Sequence, residues 1–276
     1  MARAQRDSDR DQNKATTRVL AVLSAFVSKL DGNYGVTELS EKLGMTKNMV
    51  YRAVTTLTDQ GFLIRDASGT RYELGLRILE LQNASTREPD LRGLCVPTMQ
   101  EIYKLTGETV SLSVRRGDNV VFIDGVETHR PGTWRNQIGD YRPLHSVASS
   151  RAVLAFLPDA EIDDYIARKS PMKISTTEEV SAGDLWNAIR QIRVQGFARY
   201  QRAARPRMVS VAFPFWNSNG RVEGAIAVGG PQDRFDEVAT RLLPQLQHVV
   251  AELNERTRLY PAAFSFFLED SSRGAR

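Results

Sequence analysis

Apolar residues recur at helical spacing through the first sixty positions. Val19, Val22, Leu23, Phe26, Val27 and Leu30 form one stripe, which predicts a helix from Thr16 or Thr17 to about Lys29, ended by Asp31, Gly32 and Asn33. Val36, Leu39 and Leu43 share a face of a second, short helix over 37–43, and Gly44 suits the positive φ that stops it. Thr46 is placed to cap a third helix from Lys47 to about Gln60, with Val50, Ala53, Val54 and Leu57 as its buried stripe. Two β-type runs, 62–65 and 71–74, flank Asp66, Ala67, Ser68 and Gly69, a turn composition. Residues 16–75 therefore read as a winged helix-turn-helix, preceded by a polar, disordered arm over 1–15. Residues 76–89 read as a helical linker whose Leu76, Ile78 and Leu79 are too apolar for a free spacer and are expected to pack on a partner.

Beyond Glu108 the period changes. A helix from Asp90 to about Leu105, kinked at Pro97, leads into strands over 109–114 and 119–126. An irregular stretch over 131–143 follows, then helices over 147–157, 158–169 and 182–195. Strands over 197–201, 208–216 and 221–229 come next, the last two joined by the turn Asn217, Ser218, Asn219, Gly220. A long helix over 235–260, bent at Pro244, closes the domain, and 261–276 is a tail. The fold class is α+β: the winged helix-turn-helix, then a domain over 90–260 with an antiparallel sheet flanked by helices. In the strand 208–216, Val209, Val211, Phe213 and Phe215 point one way and Met208, Ser210, Ala212 and Pro214 the other. In the next strand Ile226 and Val228 oppose Ala225, Ala227 and Gly229. The bulky face is core; the small face leaves either a cavity or room for a closely packed helix. A DNA reader with a large second domain needs an input, which favours the cavity.

Charge adds little. The net charge is +4, and residues 1–85 carry 12 Lys/Arg against 10 Asp/Glu. The DNA reading rests instead on helix order, capping and the lack of any acid between Thr46 and Thr58. A helix of this kind fits the major groove. Thr46, Lys47, Asn48, Tyr51, Arg52 and Thr55 are its candidate contacts: Lys47 and Arg52 for phosphates, Asn48 or Arg52 for base edges, Tyr51 for a phosphate or a thymine methyl. Arg18 is placed for a phosphate, and Arg65 and Arg71 on the wing for backbone or minor groove. The competing reading is a winged helix that binds protein. Cys95 is the only cysteine, so no intrachain disulfide forms, and three scattered histidines give no metal-ligand spacing. No cofactor is expected. No apolar run approaches the ~20 residues that span a bilayer, and residues 1–16 lack a signal sequence, so a cytoplasmic protein without membrane contact is expected. His145, Ser149, Ser150 and Asp124 are the only candidates for nucleophilic chemistry. No nucleophile-elbow pattern accompanies them, so a non-enzyme is expected, with a small-ester or amide hydrolase as the alternative.

The chain resembles the IclR family of bacterial transcriptional regulators over nearly its whole length. Thr37-Glu38-Leu39, Lys42-Leu43-Gly44, Lys47, Tyr51-Arg52, Leu57, Gly61-Phe62, Arg65-Asp66 and Tyr72-x-Leu74-Gly75 stand where that family has them. The stretch HSVASSRAVLA, His145 to Ala155, is similar to the family's H-x-x-A-x-G-K-A-x-L-A, with Ser150 and Arg151 in place of Gly-Lys. Gly196-Phe197-Ala198, Val211-Ala212-Phe213-Pro214 and Gly229-Gly230-Pro231 also match. The resemblance implies a GAF-like effector domain, a small-molecule effector, and a homodimer or homotetramer on a palindromic double-stranded DNA operator. It implies an effector site at Trp134, His145, Ala148, Ser149, Tyr200, Ser210, Ala212, Ala227 and Gly229. Family members that bind small oxo-acids have an Asp, a Cys and two serines where this chain has Tyr200, Ser210, Ala227 and Gly229. With those anchors gone, the effector expected is a small organic acid of larger, aromatic type, its carboxylate paired with Arg135, Arg142 or Arg151.

Overall fold

The structure is a computed structural model that describes residues 13–28, 32–85, 91–133, 138–175, 178–201 and 207–260. Most of the N-terminal arm, Leu30, Asp90, Trp134, Arg135 and the tail over 261–276 lie outside the described residues. The chain divides into two compact units, Met1–Arg87 and Glu88–Arg276.

In the first unit α1 spans Lys14–Ala25. It starts two residues before the apolar stripe suggests, because the Asn13 side chain accepts from the amides of Ala15 (3.0 Å) and Thr16 (3.4 Å). It then tightens into a 3-10 turn, Phe26–Ser28. The tighter winding carries Val27 off the stripe, leaving it exposed, while Phe26 is buried. α2 (Val36–Leu43) ends at Gly44 with φ 62°, and α3 (Lys47–Asp59) begins under the Thr46 hydroxyl, which accepts from the Met49 amide at 3.4 Å. Val22, Leu39, Val50, Val54, Leu57 and Leu63 form the centre of the core. The wing is β1 (Leu63–Arg65) antiparallel to β2 (Tyr72–Leu74), extended by a bridge from Tyr34 to Tyr72. Helix α4 (Arg77–Ser85) follows, with Leu76 and Leu79 exposed.

The second unit opens with α5 (Leu91–Thr106), which carries Pro97 inside it. Six strands form one antiparallel sheet: β3 (Thr109–Arg116), β4 (Asn119–Val126), β5 (Tyr141–Pro143), β8 (Ala198–Gln201), β9 (Met208–Trp216) and β10 (Val222–Pro231), in the order β5-β4-β3-β10-β9-β8. Between β5 and β8 come α6 (Ala148–Leu154), α7 (Asp159–Lys169), the two-residue strands β6 (Met172–Lys173) and β7 (Glu179–Val180), and α8 (Ala182–Gln195). The closing helix α9 spans Gln232–Leu259. β5, β6 and β7 fall in stretches whose two or three residues show no readable alternation.

The two faces of the sheet are built from different volumes. Val110, Leu112, Val211, Phe213, Phe215, Ile226 and Val228 pack under α5 and α9. Ala198, Ala212, Ala225 and Ala227 pack under α6, with α7 and α8 behind it. The helix was one of two possibilities for the small face, and it occupies most of it. Short side chains on both partners let the helix approach the sheet closely.

Gly224 marks how tightly β10 is held. A Cβ there would sit 2.1 Å from the Ser113 carbonyl oxygen and 2.5 Å from Cζ of Phe215. Gly224→Ala is expected to destabilise the protein by about 2–3 kcal/mol in chemical denaturation. Gly183→Ala, in the first turn of α8 with no atom closer than 3.9 Å, is expected to be neutral or stabilising. Equal stability of the two variants would overturn the β10 packing described.

Candidate DNA interface and effector site

The outer face of α3 is chemically free. The side chains of Lys47, Asn48, Tyr51 and Arg52 are exposed and bond to no other group among the described residues. Thr55 is half-buried, and its hydroxyl donates back to the Tyr51 carbonyl at 2.9 Å. Thr56 does the same to Arg52 at 3.0 Å. Sequence reasoning passed over Thr56 and Met49, both exposed and one seven-residue step apart on the helix. That spacing, with Arg52 between them, was the available signal; the apolar character of Met49 hid it. Arg18 is half-buried on α1.

The two wing arginines differ. Arg65 is exposed, its guanidinium 5.6 Å from the Tyr72 ring centre. Arg71 is engaged: Nε donates to Oδ1 of Asn33 (2.8 Å) and Nη2 to Oε2 of Glu38 (2.6 Å). The same Glu38 oxygen accepts from the Gly35 amide at 2.9 Å, at the start of α2. Arg71 thus ties the wing to the helix-turn-helix, and a DNA contact from it competes with that brace.

The expected effector residues separate into two groups. Strand register places Tyr200, Ser210 and Gly229 in one row and Ala198, Ala212 and Ala227 in the next. The inner row is covered: Ala148 and Ala212 are fully buried between α6 and the sheet, Ala227 nearly so, and Ser149 is buried beside them. These positions set the fit of α6. Ser111 and Ser113, unread in the sequence, continue the same face on β3. In the outer row Ser210 and Gly229 are partly exposed and Tyr200 is buried. An open cleft also lies at the N-terminal end of α9, lined by Pro131, Arg207, Pro231 and Arg234 among others; of the expected effector residues, none that the structure describes lines it.

His145 is buried with both ring nitrogens in use. Nδ1 lies 2.6 Å from the Tyr165 hydroxyl and Nε2 3.0 Å from the Lys173 carbonyl oxygen. A carbonyl only accepts, so Nε2 carries the proton and Nδ1 takes the tyrosine's. His145 therefore braces the α6 approach against the β6–β7 segment. Ser150 exchanges hydrogen bonds with the backbone of Val147, both at 3.0 Å, as a cap.

Arg151 stands at the outer row. Its Nε donates to the His145 carbonyl at 2.8 Å and its guanidinium lies 5.1 Å from the Tyr200 ring centre. Burial pulls its pKa below the ordinary arginine value, opposed by the nearby Tyr200 and Glu178. The Tyr200 hydroxyl donates to Oε1 of Glu178 at 3.3 Å. Arg142 is committed to Asp140 at 3.0 Å and to the Tyr141 carbonyl at 3.1 Å. At the far end of α6, Arg193 donates to the carbonyls of Ala155 (2.5 Å) and Leu157 (3.1 Å) and pairs with Asp159. Among the described residues no group of three or more His, Cys, Asp or Glu is arranged to hold a metal ion. Nor, among them, is any helix long and apolar enough to cross a membrane.

An exposed recognition helix on a winged helix-turn-helix, carried by the same chain as a separate α+β unit, defines a two-unit DNA-binding regulator. Residues 15–67 match the IclR helix-turn-helix domain, and residues 83–255 match the bacterial transcriptional regulator IclR C-terminal domain. The chain belongs to the IclR family and is a ligand-responsive, DNA-binding regulator of transcription. It is 29% identical to the HTH-type transcriptional regulator KipR of Bacillus subtilis over 82% of this chain and 90% of that one. It is 26% identical to the regulator KdgR of Escherichia coli over 96% and 98%. Its fold is shared with an IclR homologue from Microbacterium hydrocarbonoxydans solved with 4-hydroxybenzoate, at a TM-score of 0.73 and 18% identity, covering 88% of this chain and all of that one.

The bonded state of His145 makes a pH prediction. Desolvation depresses its pKa below 6.5, the Lys173 hydrogen bond opposes this, and the charges of Arg151 and Lys169 add to it. The unfolded chain takes up the proton first as pH falls, so the stabilisation is complete above pH 6.5 and is lost progressively below it. Unfolding free energy is expected to fall between pH 6.5 and 5 with a contribution of up to about 1.4 kcal/mol per pH unit from this group. His145→Gln should remove that slope; an unchanged profile would mean that the imidazole is not held neutral.

Proposed function

We propose that the protein binds a palindromic operator as a homodimer or homotetramer and releases or re-engages it when a small organic acid occupies the second unit. The observation that carries this reading is the outer face of α3, where Lys47, Asn48, Tyr51 and Arg52 are exposed, without a partner among the described residues, and free of neighbouring acids on the helix. Lys47 and Arg52 neutralise phosphates, Asn48 reads a base edge, and Thr46, Tyr51, Thr55, Arg18 and Arg65 position the helix and wing. Arg71 acts indirectly, by holding the wing. Self-association is supported by the exposed apolar residues Leu20, Leu76 and Leu79 of the first unit. The functional division is 16–75 for DNA, 76–89 for the linker and 90–260 for the effector.

The effector occupies the outer row at Tyr200, Ser210 and Gly229, beside Ser149. An aromatic acid suits this place, and the Microbacterium homologue's 4-hydroxybenzoate supports the choice. The ligand shifts the population of dimer arrangements and so the spacing of two recognition helices; a coupling of ~1–3 kcal/mol alters occupancy usefully. The reading is of sensing without turnover: the imidazole of His145 is spent on Tyr165 and Lys173 and so is not available as a base for Ser149 or Ser150. The protein acts in the cytoplasm, where its DNA is.

The test is binding of the full-length protein to the DNA upstream of its own gene at two salt concentrations. Lys47→Ala is expected to weaken specific and random DNA alike and to lower the salt slope by about 1. Asn48→Ala is expected to cost ~1–3 kcal/mol on the operator and little on random DNA. Equal losses for Asn48→Ala on both would remove its base-reading role. Absence of salt-sensitive specific binding would move the first unit to protein recognition.

A further inference from the structure

We propose that Arg151 is the specificity-determining residue of the effector site, offering its two outer guanidinium nitrogens to the carboxylate of an aromatic monocarboxylic acid. The inference rests on the effector reading above and names the chemistry of its ligand.

Three arginines are candidates from the sequence, and the structure describes two of them, Arg142 and Arg151. Arg135 lies outside the described residues, and Arg142 already holds Asp140. Arg151 holds no acid. Most other half-buried arginines of this unit do: Arg92 reaches Asp124, Arg115 reaches Glu161, Arg193 reaches Asp159 and Arg234 reaches Glu108, while Arg256 holds no acid but bonds the Thr98 hydroxyl between α9 and α5, on the opposite face of the sheet from α6. Only Nε of Arg151 is bonded within the protein, to the His145 carbonyl, so Nη1 and Nη2 have no partner among the described residues.

The guanidinium is also prepositioned. The bond to His145 fixes one edge, the Tyr200 ring supports one face, and His145 is itself fixed by Tyr165 and Lys173. A planar fork held in this way favours bidentate carboxylate binding and saves the entropy of ordering a long side chain. The neighbouring row supplies space: Ser210 and Gly229 are partly exposed, and a Cβ at Gly229 would press on Cβ of Ser210 at 3.0 Å. Glu178 sets the charge. It is hydrogen-bonded to Tyr200 and close enough to act on Arg151, so it repels a second negative charge. The site therefore selects monoanions over dianions.

The experiment is calorimetric titration of the full-length protein with 4-hydroxybenzoate, benzoate and 3-phenylpropionate, each against its uncharged amide, and with terephthalate. Operator affinity and thermal midpoint are read alongside. At least one monocarboxylate is expected to bind, with its amide and the dicarboxylate about 30-fold weaker or more. Arg151→Met should lose the acid by a similar factor, its thermal midpoint lowered by the loss of the bond to the His145 carbonyl, and Arg151→Lys should recover part of the lost binding. The acid–amide comparison uses the wild-type protein, so it decides even if Arg151→Met folds poorly. Acid and amide binding alike, or Arg151→Met binding the acid as tightly as wild type, overturns the role of Arg151 and leaves the effector reading standing. No binding by any of the acids overturns both this assignment and the organic-acid reading, with DNA binding judged separately.

Discussion

Side-chain volume on the two faces of β9 and β10 is the constraint from which the second unit follows. Phenylalanine and branched residues on one face need the broad cover of two helices, α5 and α9. Alanine, serine and glycine on the other admit one short helix at close range. α6 covers the inner row, while Ser210 and Gly229 in the next row stay partly exposed.

The legible parts of the fold are those written in neighbouring residues. The Thr46 cap, the α3 stripe, the Asn217–Gly220 turn and the alternation in β9 all involve groups a few positions apart. The missed parts depend on residues far apart in the chain. Arg71 meets Asn33 and Glu38, and His145 meets Tyr165 and Lys173; no spacing rule announces such pairs. Both therefore read from sequence as available polar groups when they are already spent. The strands β6 and β7 were equally hidden, since two residues cannot display a period of two.

The candidate sites show the same split. On α3 the helical period alone decides which side chains face outward, so Lys47, Asn48, Tyr51 and Arg52 were recoverable. For the effector site, family resemblance pointed to positions on β8, β9 and β10 but could not say which of them α6 would bury. Ala148 and Ala212 are indistinguishable in sequence from lining residues; only the helix above them makes them packing residues.

The manner in which α6 is held bears on how such a sensor can change over evolutionary time. The Arg151 and His145 side chains and, at the other end, Arg193 all grip carbonyl oxygens of the backbone. A carbonyl is supplied by every residue type, so the acceptor end of each anchor survives substitution at His145, Ala155, Leu157 or Lys173. New side chains can enter the outer row, and with them new chemical tastes, while the helix keeps its place. A scaffold fastened through its main chain is free to vary its vocabulary.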